Sequence, residues 1–187
     1  MLTDKDSLRR AMKELRSAAS DRIGRDRKIY ENLFTVPAFA KGGSVFLYNS
    51  FGSEADTAMI ARELMLRGRQ VFYPRVRGRE MELVEYNGQA FERGPFGIAE
   101  PQGEPCLEIP AITVLPMLAA DKRFNRLGYG GGFYDRFLAE VGDKTLKIAI
   151  GYDFQLVDEL PAEEYDIPVD MLVTDARILI RGKTEVL

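Results

Sequence analysis

The stretch from Arg126 to Asp135, RLGYGGGFYD, holds the residue types of this sequence that come nearest to a recognisable piece of chemistry. Its glycines are Gly128, Gly130, Gly131 and Gly132. Backbone without Cβ atoms can approach an anion closely, and glycines take the positive φ values that turn several N–H groups towards one point. A helix that follows would aim the positive end of its dipole at the same place. Arg126, with Arg123 just before it, adds charge from the entry side. The chemistry described is the gripping of a phosphate chain, and so a nucleotide. No Gly-Lys-Ser/Thr closes the turn as in a P-loop, and the Rossmann dinucleotide fingerprint is absent. Spacing alone leaves open a tight strand-to-helix connection with no ligand. Asp135, one turn inside the helix, can face the phosphates through Mg²⁺, an ion held by one or two carboxylates plus the phosphates. Its other reading is a favourable charge at a helix N-terminus, worth under about 1 kcal/mol.

The rest of the composition narrows what such a site can do. The 187 residues include no histidine. That removes the commonest general acid or base at neutral pH, the commonest transition-metal ligand, and any Ser-His-Asp triad or Cys-His pair. What remains is a reaction whose substrates bring their own nucleophile, or one run by carboxylate, Lys, Tyr or Cys. Lys and Arg number 26 against 29 Asp and Glu, a formal net charge of -3, which gives no general attraction for nucleic acid or anionic lipid. An anion site must therefore be local. Cys106 is the single cysteine, so no intramolecular disulfide marks an oxidising compartment. In a reducing cytoplasm it reads as a small apolar residue. The charged start MLTDKDSLRRAMKELRS has no apolar core of signal-peptide length, and no run approaches a bilayer span. A soluble, cytoplasmic protein is expected, and a monomer. The length suits one compact domain over residues 1–187, burying roughly 70% of its unfolded surface without disulfide or structural metal.

The elements that must position the turn are legible in outline. Thr3 to about Ala19 reads as an amphipathic helix capped by Thr3, with Leu8, Met12 and Leu15 on its apolar side. A second helix runs from Ser20 to about Phe34. Ser44 to Tyr48 reads as a buried strand. A helix then starts at Ser53 with Glu54 and Asp56 in its first turn, an apolar face of Met59, Ile60 and Leu64, and Gly68 as its stop. Gln70 to Tyr73 is the next strand, which makes a βαβ unit and predicts a mostly parallel sheet with helices packed on it. Met81 to Tyr86 reads as another strand, and Asn87 to Pro110, rich in Gly, Pro and Glu, as loop. Ile112 to Pro116 is a buried strand leading to the glycine turn. A helix from about Gly132 to Glu140 and strands at Leu146 to Ile150 and Met171 to Thr174 complete the pattern.

Several further segments fall into one known order. They are Lys5, Leu8 and Arg9 as K-x-x-L-R, EADT at Glu54 to Thr57, YPRV at Tyr73 to Val76 and FGIAEP at Phe96 to Pro101. RLGYGGGFYDR at Arg126 to Arg136 follows, then Gln155 and LPAEEYDIPVD ending at Asp170. Together they resemble the 5-formyltetrahydrofolate cyclo-ligase family, also called 5,10-methenyltetrahydrofolate synthetases, over nearly the whole chain. The resemblance implies a three-layer α/β sandwich with a mostly parallel sheet and helices on both faces. It implies ATP and Mg²⁺ as co-substrate and cofactor, and conversion of 5-formyltetrahydrofolate to 5,10-methenyltetrahydrofolate with release of ADP and phosphate.

Residue by residue, the family's ATP contacts fall on Lys5, Arg9, Arg126, Leu127, Gly128, Tyr129, Gly130, Gly131, Gly132, Phe133 and Tyr134. Its Mg²⁺ ligands fall on Asp135 and Asp166. Folate contacts fall on Asn49, Glu54, Tyr129, Gly130, Gly131, Gly132 and Phe133. By the same resemblance Arg126 and Asp135 are the expected catalytic residues. Read without the resemblance, Lys5 and Arg9 are two cations at i and i+4 on an exposed helix face, and Asp166 is a turn residue near Pro168. The chain departs from the family in four places. Met117 follows Pro116 where glycine is usual, Phe124 stands two residues before Arg126 where glycine is usual, Ala120 replaces a phenylalanine, and Phe133 replaces a tyrosine. These bear on the loop entrance and folate affinity more than on phosphate binding.

Two other classes of function fit the same layout. One is a phosphosugar isomerase or acyl-transfer enzyme, whose turn would hold a sugar phosphate. The other is a non-catalytic nucleotide-sensing or folate-binding protein. A requirement for ATP separates the first from a ligase, and ATP binding without turnover would identify the second.

Overall fold

The structure, a computed structural model, describes residues 4–161, 163 and 165–183. In chain order the elements are α1 (Lys5–Ala18), α2 (Arg22–Thr35), α3 (Pro37–Ala40), β1 (Val45–Phe46), α4 (Ala58–Leu66), β2 (Val71–Arg77) and β3 (Glu80–Glu85). Then come β4 (Phe91–Arg93), β5 (Ala99–Pro101), β6 (Pro105–Cys106), β7 (Ile112–Pro116), β8 (Ala119–Asp121), β9 (Arg126–Leu127) and α5 (Phe133–Val141). The last are β10 (Leu146–Ile150), β11 (Leu156–Val157), β12 (Met171–Val173) and β13 (Ile178–Ile180).

Eight strands form one sheet in the order β13-β12-β10-β7-β1-β2-β3-β6. Neighbours from β12 through β10, β7 and β1 to β2 are parallel. The edges, β13 on β12 and β3 and β6 beyond β2, are antiparallel. Because successive side chains on a strand point to opposite faces, the apolar runs split their burial. Val45, Leu47, Ile112, Val114, Ile148, Ile150, Met171 and Val173 pack with Ile29, Leu33, Phe39, Ile60 and Leu64 of α2, α3 and α4. Phe46, Leu115, Ala149 and Leu172 pack on the other face with Phe137, Leu138 and Val141 of α5. A sheet buried on both faces between helices is the three-layer α/β sandwich. Among the described residues no helix is long and apolar enough to cross a membrane.

The sheet order creates the crevice that the site uses. From β1 the chain crosses through α4 to β2 on one side, and from β7 it crosses through α5 to β10 on the other. β1 and β7 are parallel neighbours, so their chains leave the same end of the sheet in opposite directions, and such a switch point is where open α/β sheets bind ligands. A second sheet, β11-β8-β9, lies beyond that end. α1 rests on it through Leu8, which packs with Ala119, Leu127 and Leu160.

Several sequence expectations change. The helix expected from Ser53 begins at Ala58. Glu54 turns inward, while the Asp56 carboxylate accepts from Ala58 N at 3.0 Å and from Ser50 Oγ at 3.0 Å, holding the approach to the helix rather than lying in it. Thr3, expected to cap the first helix, lies outside the described residues, and Asp4 caps α1 by accepting from Ser7 N at 2.8 Å. Leu15, expected on the apolar side, is 47% exposed. The segment 87–110 is not all loop, since β4 and β5 form a hairpin and β6 extends the main sheet. The glycine turn does not follow β7 directly: β8 and β9 intervene as an antiparallel pair.

Candidate functional site

β9 delivers Arg126 and Leu127 to the crevice, both buried, and the chain then turns through Gly128–Gly132 into α5. Gly130 has φ +96° and Gly132 φ +66°, conformations that L side chains rarely adopt. A Cβ on Gly130 would lie 3.3 Å from Arg9 Cζ, and one on Gly132 would lie 2.7 Å from Arg136 Nη1. Gly132 is the N-cap of α5, and no side chain caps that end. The first N–H groups of an α-helix have no partner within the helix, so this end is suited to an anion.

Cations surround the turn. Arg126 Nη2 donates to Asp135 Oδ1 at 2.9 Å, and the guanidinium lies 6.0 Å from the centre of the Tyr134 ring. The Arg126 side chain is 3% exposed, yet its Nε and Nη1 are buried without a hydrogen-bond partner among the described residues. A buried donor left unsatisfied costs about 1–3 kcal/mol, more if charged. Arg9 Nε donates to Gly128 O at 3.0 Å. Lys5 Nζ lies 2.8 Å from Asp166 Oδ2 and 3.3 Å from Glu163 Oε2. The i, i+4 pair on α1 therefore faces inward, with side chains only 15% and 20% exposed, and brings Lys5 and Arg9 to the same end of the molecule as the turn.

On the β1 side of the crevice Glu54 is 7% exposed and accepts from Phe51 N at 3.0 Å. Tyr129 of the glycine turn lies near enough to Glu54 for each to shift the other's titration. Burial raises the Glu54 carboxyl above the usual carboxylate range, opposed by the Phe51 amide and by Arg16. The Tyr129 hydroxyl is pushed up to about 12 by burial and by Glu54. Tyr134 is raised further by the same two causes. Phe51 packs against the Tyr129 ring with centroids 5.4 Å apart, and Lys13 Nζ sits 4.9 Å from the ring centre. Arg16, not anticipated as a site residue, is 3% exposed and donates to the Tyr129 hydroxyl. The signal was present, since Leu8, Met12 and Arg16 recur every four residues and so share one helix face.

The other predicted residues are placed unequally. Leu127 turns its side chain into the packing with Leu8, leaving only its backbone for the turn. Asn49 Nδ2 donates to Ala99 O at 2.8 Å, tying the end of β1 to the FGIAEP strand. Asn49 also lines an open cleft of about 470 Å³ with Arg62, Tyr73, Tyr86 and Phe91, which no residue of the glycine turn lines. Among the described residues no group of three or more His, Cys, Asp and Glu could hold a metal. A cation bound mainly by phosphates needs only one or two carboxylates, and Asp135, one-third exposed with one oxygen on Arg126, fits that donor set. Asp166 Oδ2 is shared by Lys5 Nζ and Glu163 N, both at 2.8 Å.

The departures from the family also find their places. Phe124 has φ +67°, so the position where glycine is usual keeps a left-handed backbone with an aromatic residue in it. Its amide donates to Asp121 O, its carbonyl accepts from Val169 N, both at 3.0 Å, and its ring packs on the α5 side of the core. Met117 is buried, and its methyl carbon lies where a Cβ on Gly151 would stand, 2.5 Å away. Ala120 is fully buried in β8, opposite Leu156. The Phe133 ring lies over Gly131, whose added Cβ would come within 2.9 Å of it, with the Arg136 guanidinium 5.0 Å from the ring centre.

The chain is similar to known proteins in both sequence and structure. Over residues 2–175 it matches the model of the 5-formyltetrahydrofolate cyclo-ligase family. It is 30% identical to a 5-formyltetrahydrofolate cyclo-ligase of Escherichia coli over 155 residues, covering 78% of this chain and 85% of that protein. Identity to the Haemophilus influenzae protein of the same name is 32% over 140 residues, 70% of this chain and 75% of the other. The structure superposes on the 5,10-methenyltetrahydrofolate synthetase of Aquifex aeolicus with a TM-score of 0.83 at 33% identity, covering 98% of this chain and 95% of that one. A methenyltetrahydrofolate synthetase of Mycoplasma pneumoniae gives 0.73 at 26% identity, over 92% and 99%. With the glycine turn, the inward cations and the buried Glu54 arranged at one switch point, these matches place the chain in the 5-formyltetrahydrofolate cyclo-ligase family of ligases.

Proposed function

We propose that this protein uses ATP to convert 5-formyltetrahydrofolate to 5,10-methenyltetrahydrofolate, releasing ADP and phosphate, as a soluble cytoplasmic enzyme. The observation that carries the nucleotide half is Arg126, whose buried guanidinium keeps two nitrogens, Nε and Nη1, unpartnered among the described residues beside the uncapped start of α5. Phosphate oxygens would satisfy both.

The formyl oxygen of the substrate is a weak nucleophile, but it carries no proton and needs no base, which suits a chain without histidine. Held in line with the γ-phosphorus, it takes the phosphoryl group as the bond to ADP breaks. Catalysis of such a transfer is mainly positioning and charge neutralisation. Arg126, Arg9 and Lys5 supply cations, and the turn from Gly128 to Gly132 supplies amides. Magnesium held by Asp135, with Asp166 as a second carboxylate, would neutralise part of the triphosphate charge. The product of the first step is an imidate phosphate on the folate. The substrate's N10 then attacks the activated carbon, the five-membered ring closes, phosphate leaves with the former formyl oxygen, and N10 gives up its proton. In this reading Glu54 holds the N–H edge of the pterin and Tyr129 closes over it.

The test is near-ultraviolet absorbance of purified protein with 5-formyltetrahydrofolate and Mg²⁺, with and without ATP. A methenyl signal that requires ATP and is lost in Asp135→Asn supports the reading. Absence of signal from protein that binds ATP removes the ligase reading.

A further inference from the structure

Arg16 reaches three separate segments of chain. Its Nε donates to Ser53 Oγ at 3.1 Å, in the loop that leaves β1. Its Nη1 donates to Met117 O at 3.3 Å, in the segment that leaves β7. Its Nη2 donates to the Tyr129 hydroxyl in the glycine turn. The first two partners lie on the chains that diverge at the switch point, so the guanidinium bridges the crevice itself. No carboxylate pairs directly with it among the described residues, although Glu54 is near enough to feel its charge. A buried arginine spent on two hydroxyls and a carbonyl forgoes the stronger charged pairing, which makes a purely structural role an expensive one.

The direction of the Tyr129 bond matters. Since Arg16 donates to that oxygen, the phenol's own hydrogen points away from the guanidinium, and Glu54 is the acid near enough to Tyr129 to shift it. Resting on the reading of Glu54 as the pterin-holding group, we propose that Arg16 is a positioning residue that fixes the gap between the Glu54 turn and the glycine turn, and orients Tyr129 on Glu54. The groups that face Glu54 are Arg16 from α1, Tyr129 from the turn, Tyr134 from α5 and Tyr48 from the end of β1. Arg16 is the cation among them, and it favours the ionised carboxylate against burial.

The test compares Arg16→Gln and Arg16→Lys with the unaltered protein. In Arg16→Gln, kcat/KM for 5-formyltetrahydrofolate falls by about 10- to 100-fold, the effect of one charged hydrogen bond. The acid limb of its pH profile moves to higher pH. Arg16→Lys, which keeps the charge but not the three-way fork, keeps the limb in place while kcat/KM stays low. Lack of product from the unaltered protein would count against the folate reading alone. The proposal on Arg16 is then decided by thermal stability across the acid range. Glu54 is raised in the fold, so stability falls as pH rises from the ordinary glutamate range through its raised value. Arg16→Gln extends that fall to higher pH, and adding Glu54→Gln abolishes the difference. Identical pH dependence of stability in Arg16→Gln and the unaltered protein, or an unmoved acid limb, overturns the proposal.

Discussion

Replacing Arg126 with methionine separates a ligand-binding arginine from a structural one. Among the described residues the buried guanidinium makes one hydrogen bond, to Asp135 at 2.9 Å, and leaves Nε and Nη1 without partners. Each orphaned donor costs the empty protein about 1–3 kcal/mol. The bond given up is to a carboxylate one-third exposed, which water can solvate once the arginine is gone, so its loss is worth about 1 kcal/mol. Methionine keeps most of the volume. Arg126→Met should therefore be at least as stable as the parent, with a Tm up to several degrees higher, at about 2–4 °C per kcal/mol for a chain of this size. The nucleotide loses two charged hydrogen bonds, each about 1.5–3 kcal/mol, so kcat/KM for ATP should fall by roughly 10² to 10⁴. Differential scanning fluorimetry with and without ATP and Mg²⁺ reads both effects, since a ligand that binds the folded state raises Tm. The parent gains stability from ATP and the variant loses that gain. A variant that melts well below the parent and keeps its response to ATP would refute the reasoning and make Arg126 a structural residue.

Gly130→Ala places a Cβ at φ +96° and 3.3 Å from the Arg9 guanidinium, and is expected to cost about 1–2 kcal/mol of stability and to raise the KM for ATP as Arg9 is pushed aside, both measurable on one preparation. Glu54→Gln keeps a carbonyl to accept from Phe51 N but loses the charge. It should raise the KM for 5-formyltetrahydrofolate while removing the decline in stability with rising pH that a raised carboxyl brings, so chemical denaturation at neutral pH should find it no less stable than the parent. Phe124→Gly should be more stable than Phe124→Ala by about 0.5–1 kcal/mol, since both lose the ring but only glycine relieves φ +67°, and urea unfolding of the pair decides it.

The parts legible in the sequence were those set by continuous apolar runs. β7 and β10, at the centre of the sheet, match their expected limits at Ile112–Pro116 and Leu146–Ile150. β4, β5 and β6 were missed because they are two or three residues long and lie in a segment rich in Gly, Pro and Glu, where tertiary pairing outweighs local preference. The acidic residues after Ser53 imitate a helix start, and only the fold shows Glu54 turned into the crevice. In the site, the glycine turn and its cations came from spacing and resemblance. The pairings did not: Lys5 with Asp166, and Arg126 with Asp135, are long-range or turn-dependent contacts that a linear pattern does not contain. Arg16 was not singled out from the other charges of the first helix, although its spacing from Leu8 and Met12 puts it on the buried side.

The central claim is that ATP turns the formyl oxygen into a phosphate leaving group. Its most direct test uses 5-formyltetrahydrofolate labelled with ¹⁸O in the formyl group, turned over with ATP and Mg²⁺, with the released phosphate analysed by mass spectrometry. The account predicts one ¹⁸O in each phosphate released. Methenyl product formed with unlabelled phosphate would contradict it.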